Sequence, residues 1–304
     1  MSLDDELTAK IARLKQERRA IILAHNYQLG EVQDVADLTG DSLDLSRKAA
    51  TTDAEIIVFC GVHFMAETAA ILSPGKTVLL PDRHAGCPMA DMVDAESLRR
   101  KKAEHPGAAV ISYVNSTAEV KAESDICCTS ANVAKVVNSI PSGREIIFVP
   151  DQYLGIYAAE QTGRELILWP GYCPTHRRIL PEHIERRKAE YPEARVIVHP
   201  ECRPEVTRLA DKVASTSQMI RYATESEAPT IIVGTEMGII HRLQKENPHK
   251  RFVAATEQAV CPNMKRNTLE KIVTALEENR HIVSVPEEIR KRAAGALERM
   301  LEIT

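Results

Sequence analysis

The sequence predicts an α/β protein made of three similar α/β/α sandwich units, with parallel sheets arranged about a pseudo-threefold axis. Two observations support this fold class. Short apolar, β-branched runs alternate with helical segments of about ten residues, a pattern typical of parallel strands covered by helices on both faces. In addition, several landmarks recur at one fixed period, which is the sequence signature of structural repetition.

The repeat is clearest in three cysteine-proline pairs. Cys87-Pro88, Cys173-Pro174 and Cys261-Pro262 each follow an apolar run, and the cysteines are spaced 86 and 88 residues apart. Within a few residues, the same spacing relates two further sets of residues and one strand–turn–helix pattern: His25, Tyr113 and His199; Ser42, Ser130 and Thr216; and the runs that begin at 54, 144 and 229. Four landmarks with one period favour a shared fold over chance.

The alternation of apolar and helical runs defines the expected elements. In the first unit we expect helix 4–18, strand 20–24, a short strand near 33–38, helix 42–51, strand 55–60, helix 64–72 and strand 76–80. The predicted units are 1–89 together with C-terminal helices in 265–304, then 90–175, then 176–264. Units of this length are too long for a solenoid, whose repeats run about 20–45 residues. A compact arrangement about one axis is therefore expected.

Composition narrows the class of protein. The chain has 304 residues, 44% of them apolar and 27% charged, with a net charge of −4. No apolar stretch approaches the roughly 18 residues of a membrane span. The mildly acidic charge is not typical of a nucleic-acid-binding protein, which usually carries a basic surface. Seven cysteines without a secretion signal predict reduced thiols in the cytoplasm rather than a disulfide framework.

The three repeated sets of polar residues all follow apolar runs, so they are expected at the carboxyl ends of parallel strands, where sites form. If the three ends face one axis, Cys87, Cys173 and Cys261 meet there, and one thiol per unit predicts a metal site.

Zinc and an iron–sulfur cluster both remain possible, although the chain has no C-x-x-C pair of the kind common in zinc sites. With three cysteines, a [4Fe–4S] cluster would keep one iron open as a Lewis acid. The other cysteines are expected in the core: Cys60, Cys127, Cys128 and Cys202.

Side chains alternate along a strand, so three pairs are expected to point to the same side: His25 with Tyr27, Tyr113 with Asn115, and His199 with Glu201. The residues between them, Asn26, Val114 and Pro200, point the other way. Glu201 beside His199 suits a general base pair, and the two tyrosines are candidate acids or hydrogen-bond donors.

The hydroxyl set Ser42, Ser130 and Thr216 precedes helical runs. These residues suit helix N-caps, and they also suit an anion site at helix N-termini. His176, three residues after Cys173, either lines the site or caps the next helix.

These residues carry a resemblance to a known family. The stretches AHNYQ, GDSLDLSRKA, VFCGVHFMAE, CPMAD, SYVNS, PDQYLG, HPEC, STSQM and CPNMK together resemble the quinolinate synthase family of NAD biosynthesis, from about residue 20 to residue 280. The resemblance implies a condensing and dehydrating enzyme of transferase or lyase type. Its members combine iminoaspartate (iminosuccinate) with dihydroxyacetone phosphate and release quinolinate, phosphate and water.

The resemblance also implies a cofactor, site residues and a partner. One [4Fe–4S] cluster per chain is expected on Cys87, Cys173 and Cys261, with its free iron facing substrate. Substrate binding is implied for His25, Ser42, Tyr113, Asn115, Ser130, His199, Glu201 and Thr216. Proton transfer is implied for Glu201 and His199, with Tyr27 as an acid or closing group. A separate aspartate-oxidising enzyme is implied as the source of iminoaspartate.

Three alternatives remain at the level of sequence. A three-cysteine, pseudo-threefold architecture also occurs in a reductase of isoprenoid biosynthesis and in the radical enzyme of diphthamide synthesis, and both need electron delivery. An iron–sulfur sensor or assembly protein is the third alternative. A sensor has no need for the histidine, tyrosine, asparagine and glutamate side chains at the strand ends.

Overall fold

The computed structural model describes residues 2–303, so positions 1 and 304 of the predicted first unit lie outside it. Three four-stranded sheets form the frame, and every strand pair within them is parallel. All three sheets have the same strand order, in which the first strand of the unit lies second, between the second and third strands. The predicted α/β class with three similar units is confirmed.

The first unit supplies the sheet β2-β1-β3-β4. Its elements are α1 (Leu3–Glu17), β1 (Ala20–His25), α2 (Gly30–Val35), β2 (Leu38–Gly40), α3 (Ser42–Thr51), β3 (Ile56–Cys60), α4 (His63–Leu72) and β4 (Thr77–Leu79). The predicted strand near 33–38 is wrong except at its last residue, because residues 33–35 complete the short helix α2 and β2 begins only at Leu38. All three residues of β2 pair with β1.

The second and third units repeat this order. The second contains α5 (Ala95–Glu104), β5 (Ala109–Tyr113), α6 (Ala118–Ala122), β6 (Ile126–Cys128), α7 (Val133–Ser139), β7 (Ile146–Val149), α8 (Gln152–Thr162) and β8 (Ile167–Leu168). The third contains α9 (Pro181–Glu190), β9 (Arg195–Val198), α10 (Pro204–Thr207), β10 (Lys212–Val213), α11 (Thr216–Glu225), β11 (Thr230–Gly234), α12 (Ile239–Glu246) and β12 (Arg251–Ala254).

Two helices follow the third unit: α13 (Leu269–Glu278) and α14 (Glu287–Glu302). Helix α13 packs on α1 over one face of the first sheet, while α14 lies against α4, α6 and β6. The C-terminal helices therefore touch both the first and the second units, and the exact unit boundaries stay a prediction. Within residues 2–303, no helix combines the length and the apolarity that crossing a membrane requires.

One aspartate in each unit marks the repeat at the level of hydrogen bonds. The carboxylates of Asp37, Asp125 and Asp211 accept the backbone N–H of Ile22, Val110 and Val196, at 2.8, 2.8 and 2.7 Å. In every case the aspartate stands 15 residues after its partner, and its own N–H returns to that partner's carbonyl oxygen. Such paired bonds satisfy the backbone beside the short second strand, which explains why the three units share one register.

Candidate active site

A cavity of about 210 Å³ lies at the carboxyl ends of the strands and is lined by all three units. All twelve residues singled out in the sequence line it: His25, Tyr27, Ser42, Cys87, Tyr113, Asn115, Ser130, Cys173, His199, Glu201, Thr216 and Cys261. Parallel strands place their carboxyl ends at one edge of each sheet, and here the three edges open into the same space.

Each of the three cysteines begins a similar tight turn. A single 3₁₀ turn follows each cysteine-proline pair, at Ala90–Met92, His176–Arg178 and Met264–Arg266. The backbone N–H four residues after each cysteine donates to that cysteine's carbonyl oxygen, at 3.3, 3.0 and 3.3 Å. The proline has no N–H of its own and fixes φ at the start of the turn. The same local fold thus presents one thiol from each unit to the cavity.

The environments of the cysteines divide them into two sets. Cys60, Cys127, Cys128 and Cys202 are fully buried, the first three of them within strands, as expected for core residues. The three cysteines of the turns are partly exposed, and all seven are free thiols. Burial raises the pKa of the Cys87 thiol to about 12, although the backbone N–H groups of Ala90 and Met89 partly offset this.

Glu201 is a carboxylate that lines the cavity and is only 3% exposed. Its Oε1 accepts the Tyr113 hydroxyl at 2.6 Å, and its Oε2 lies 2.7 Å from His176 Nδ1. Burial alone would raise the pKa of Glu201, but His176 and His199, with the hydrogen bonds from His176 and Tyr113, hold it below the ordinary value of 4.5. The result is a buried, ionised acceptor surrounded by donors.

The backbone fixes the proton positions on two cavity histidines. The N–H of Tyr27 donates to His25 Nδ1 at 3.2 Å, and the N–H of Glu201 donates to His199 Nδ1 at 3.3 Å. Burial lowers the pKa of His25 and of His199 to about 3 in each case, so both rings are neutral. Since each Nδ1 is an acceptor, the ring proton resides on Nε2. In His199 this Nε2 lies 3.2 Å from the Ser130 hydroxyl oxygen.

The hydroxyl residues line the cavity but are not helix N-caps. The N-cap positions belong to Asp41 for α3, Asn132 for α7 and Ser215 for α11. Ser42 and Thr216 are instead the first helical residues, and Ser130 lies in the turn before α7. The N-cap interpretation is therefore wrong, because neighbouring polar side chains already satisfy the terminal N–H groups of α3 and α11.

His176 lies in the cavity, which settles the question left open by the sequence. Its side chain is almost fully buried and connects Glu201 to a chain of hydroxyl groups. His176 Nε2 is 2.8 Å from the Thr235 hydroxyl oxygen, which is in turn 2.5 Å from the Tyr27 hydroxyl oxygen. Burial, reinforced by the charge of Glu201, raises the pKa of Tyr27 well above 10, so this phenol remains a proton donor.

Sequence reasoning missed Thr235 and the neighbouring Glu236. Glu236 is fully buried, lines the cavity and accepts the Cys261 backbone N–H at 3.0 Å. Lys265 approaches the same carboxylate at 3.0 Å. Both missed residues directly follow β11, so the strand-end argument applied to the third strand of each unit would have found them.

The described residues contain one group whose ligand atoms lie close enough together to hold a metal ion. Cys173, His176 and Glu201 present ligand atoms that all lie within 4.8 Å of one another. However, Nδ1 of His176 faces the Glu201 carboxylate, an acceptor, and therefore carries the proton that a metal ligand would have to lack. Cys87, Cys173 and Cys261 also line the cavity, and the Cys173 sulfur lies 3.2 Å from the same His176 Nδ1.

Comparison with known proteins agrees with the resemblance read from the sequence. Residues 9–302 match the family model described as "Quinolinate synthetase A protein" (NadA). Proteins named "Quinolinate synthase" from Dehalococcoides mccartyi (strain CBDB1) and Desulforudis audaxviator (strain MP104C) are 63% and 60% identical to this chain. The first alignment covers 98% of both chains and the second covers 100% of both. "Quinolinate synthase 1" of Methanosarcina acetivorans is 55% identical over 98% of each chain. The chain belongs to the quinolinate synthetase A family.

Proposed function

We propose that this protein is a quinolinate synthase, a condensing and dehydrating enzyme of transferase or lyase type. It would join iminoaspartate to dihydroxyacetone phosphate and release quinolinate, phosphate and water. The observation that carries the proposal is a single cavity lined by Cys87, Cys173 and Cys261, by neutral hydrogen-bond donors and by the buried carboxylate of Glu201. The names of relatives that are 63% and 60% identical over nearly the whole chain add support.

The proposed cofactor is one [4Fe–4S] cluster held by Cys87, Cys173 and Cys261. Three features fit it: one partly exposed cysteine from each unit, backbone N–H groups aimed at all three sulfurs, and an open volume beside them. The buried Oδ1 of Asn115 has no partner within the described residues, as expected if a bound group completes the site. When bound, a cluster with three protein ligands supplies a Lewis acid.

The polar residues of the cavity are proposed to bind the anionic substrates. Ser42, Ser130 and Thr216 offer hydroxyl groups, while His25 and Asn115 offer N–H groups. These are neutral donors in a largely enclosed space, where hydrogen bonds to charged groups are stronger than in water. They would hold the carboxylates of iminoaspartate and the phosphate of the second substrate without neutralising Glu201.

Glu201 is proposed to take up and return protons during the isomerisation and dehydration steps. It is ionised, it accepts hydrogen bonds from both His176 and Tyr113, and it faces the cavity. His199 is proposed to act beside it, with its Nε2 proton directed at Ser130. Tyr27 is proposed to supply protons, since Thr235 and His176 link its hydroxyl to Glu201.

The proposal also implies a supplier and a location. A separate enzyme that oxidises aspartate is proposed to provide iminoaspartate, as the quinolinate synthase family implies. Seven free thiols suit a reducing compartment, so we propose a cytoplasmic reaction.

Anaerobic purification followed by iron and sulfide analysis tests the cofactor. An assay with iminoaspartate and dihydroxyacetone phosphate, without added reductant, tests the reaction. Four irons and four sulfides per chain with quinolinate formation are expected. Iron-loaded protein that makes no quinolinate, or that does so only with an electron donor, would overturn the proposed reaction in favour of a sensor or a reductase.

A further inference from the structure

Asn26 stands between two cavity residues in sequence but is not part of the cavity lining. The corresponding residues of the other two units are Val114 and Pro200, so only the first unit has a polar side chain at this position. Asn26 is 0% exposed. A fully buried amide needs partners for its carbonyl oxygen and its NH₂ group, and both partners come from the third unit.

Arg242 of α12 fixes the orientation of the Asn26 amide. Its Nη1 donates to Asn26 Oδ1 at 2.9 Å and to the Thr39 carbonyl oxygen at 2.6 Å. A guanidinium has donors only, so the amide atom that faces Arg242 must be the oxygen. The NH₂ group is thereby directed away from Arg242, toward the first turn of α11.

Thr216 receives that NH₂ group. Asn26 Nδ2 donates to Thr216 Oγ1 at 2.8 Å, and since an amide NH₂ cannot accept, the Thr216 hydroxyl is the acceptor of this bond. Within residues 2–303, the Thr216 hydroxyl donates no hydrogen bond of its own. Thr216 lines the cavity, so its free O–H is available to a molecule bound there.

In the second unit, the Ser130 hydroxyl also accepts a hydrogen bond from the protein, but its donor is a histidine. His199 carries its proton on Nε2 and directs it at the Ser130 hydroxyl oxygen, at 3.2 Å. Ser130 therefore accepts from the protein as Thr216 does, and it too has an O–H for the cavity. Two hydroxyls set as donors by buried neighbours match a ligand that carries only acceptors, such as a carboxylate or a phosphate.

We propose that Asn26, oriented by Arg242, is a positioning residue that sets the Thr216 hydroxyl as a hydrogen-bond donor to the anionic substrate. This inference rests on the proposed function for the identity of that substrate. The Asn26 amide does not touch the substrate itself. It acts by deciding which way the Thr216 proton points.

The substitution Asn26→Asp tests the proposal with little change in shape. A carboxylate still accepts from Arg242, but it also accepts the Thr216 O–H, so Thr216 would present lone pairs to the ligand. We expect KM for the anionic substrates and the Kd of quinolinate to rise about 10- to 100-fold, as for the loss of a hydrogen bond to a charged group. The kcat at saturating substrate should change much less.

Repeating the substitution in a Thr216→Ala protein separates the effect of the Thr216 hydrogen-bond direction from the effect of the new negative charge at position 26. If Asn26 acts through the Thr216 hydroxyl, adding Asn26→Asp to Thr216→Ala should change KM and Kd less than threefold. If the effects of Asn26→Asp and Thr216→Ala on KM and Kd multiply, the new charge acts directly on the ligand. That result would overturn the proposal. Lys245→Gln is the matched control, because Lys245 lies on the same helix and crosses to Asp34 of the first unit at 2.6 Å without reaching Asn26. It should leave both constants unchanged.

Two further measurements keep the test decisive. If Asn26→Asp fails to fold, Arg242→Gln replaces it as the test variant. Without Arg242 the Asn26 amide can rotate, which should raise the Kd of quinolinate when Thr216 is present. The same substitution should leave the Kd unchanged in the Thr216→Ala protein. Equal effects in both backgrounds would refute the proposal. Calorimetric binding of quinolinate requires no turnover, so a wild-type protein that binds this dicarboxylate through Thr216 but forms no product overturns the proposed reaction alone.

Discussion

His176 Nδ1 lies 2.7 Å from Glu201 Oε2, and the two side chains are only 2% and 4% exposed. The histidine comes from the turn after Cys173, and the glutamate comes from the strand end of the third unit. This contact joins the proposed metal-binding turn to the proposed base. Because a buried carboxylate is strongly destabilised when its partner is absent, the pair fixes the position of both elements.

Replacing any one of Cys87, Cys173 and Cys261 by alanine should abolish cluster binding and activity together. Each unit supplies a single thiol to the cavity, so no spare sulfur can replace it. Iron and sulfide content and visible absorbance after anaerobic purification measure the loss. Cys60→Ala is the control, since Cys60 is fully buried within β3, and it should keep the colour. A colourless control, or a brown and active Cys173→Ala protein, would contradict the assignment.

Glu201→Gln should lower kcat by about 10²- to 10⁴-fold, the usual contribution of general acid–base catalysis. The amide cannot take up a proton, and its NH₂ group would replace the oxygen that now accepts from either His176 or Tyr113. Iron content should stay that of the wild type, which separates the loss from cluster damage. Glu205→Gln, an exposed neighbour on α10, should be fully active. Turnover by the Glu201 variant within a factor of three of wild type would remove Glu201 as the base.

Thr235→Val should lower kcat at least tenfold with little change in KM. Valine keeps the shape of threonine but removes the hydroxyl that lies 2.5 Å from Tyr27 and 2.8 Å from His176. Thr235→Ser keeps the hydroxyl and should retain most activity. Steady-state kinetics decide between the variants, and equal activity of the valine and serine proteins would show that protons do not pass through this group.

The free energy of unfolding should fall as pH decreases from 6.5 toward 4.5. His25 and His199 have ordinary pKa values of 6.5 that burial lowers to about 3, so in this window the unfolded chain binds protons that the folded chain does not. Their contribution is complete above pH 6.5 and diminishes by up to about 1.4 kcal/mol per pH unit for each histidine.

Urea unfolding across this pH range measures the slope. A His25→Asn/His199→Asn protein should show a shallower slope, since an amide does not titrate here. Below pH 4.5 the depressed pKa of Glu201 adds to the loss in the same direction, because protonation of Glu201 favours the unfolded chain. A wild-type stability that rises on acidification would contradict the neutral histidines.

The sequence by itself predicted the three-unit α/β fold and twelve of the residues that line the cavity. Apolar runs fix the strands locally, and a period near 87 residues places equivalent strand ends in each unit. Side-chain alternation then separates His25 and Tyr27 from Asn26. These inferences need only local geometry and repetition.

Only the tertiary structure decided the partners of those residues. It placed His176 against Glu201, put Thr235 between His176 and Tyr27, gave the N-cap of α3 to Asp41 rather than Ser42, and joined Asn26 to Arg242 across 216 residues of chain. Such contacts depend on how units pack against one another, and the direction of a hydrogen bond depends on which donor arrives from a distant element. Local sequence patterns predict neither the packing of the units nor the direction of these hydrogen bonds.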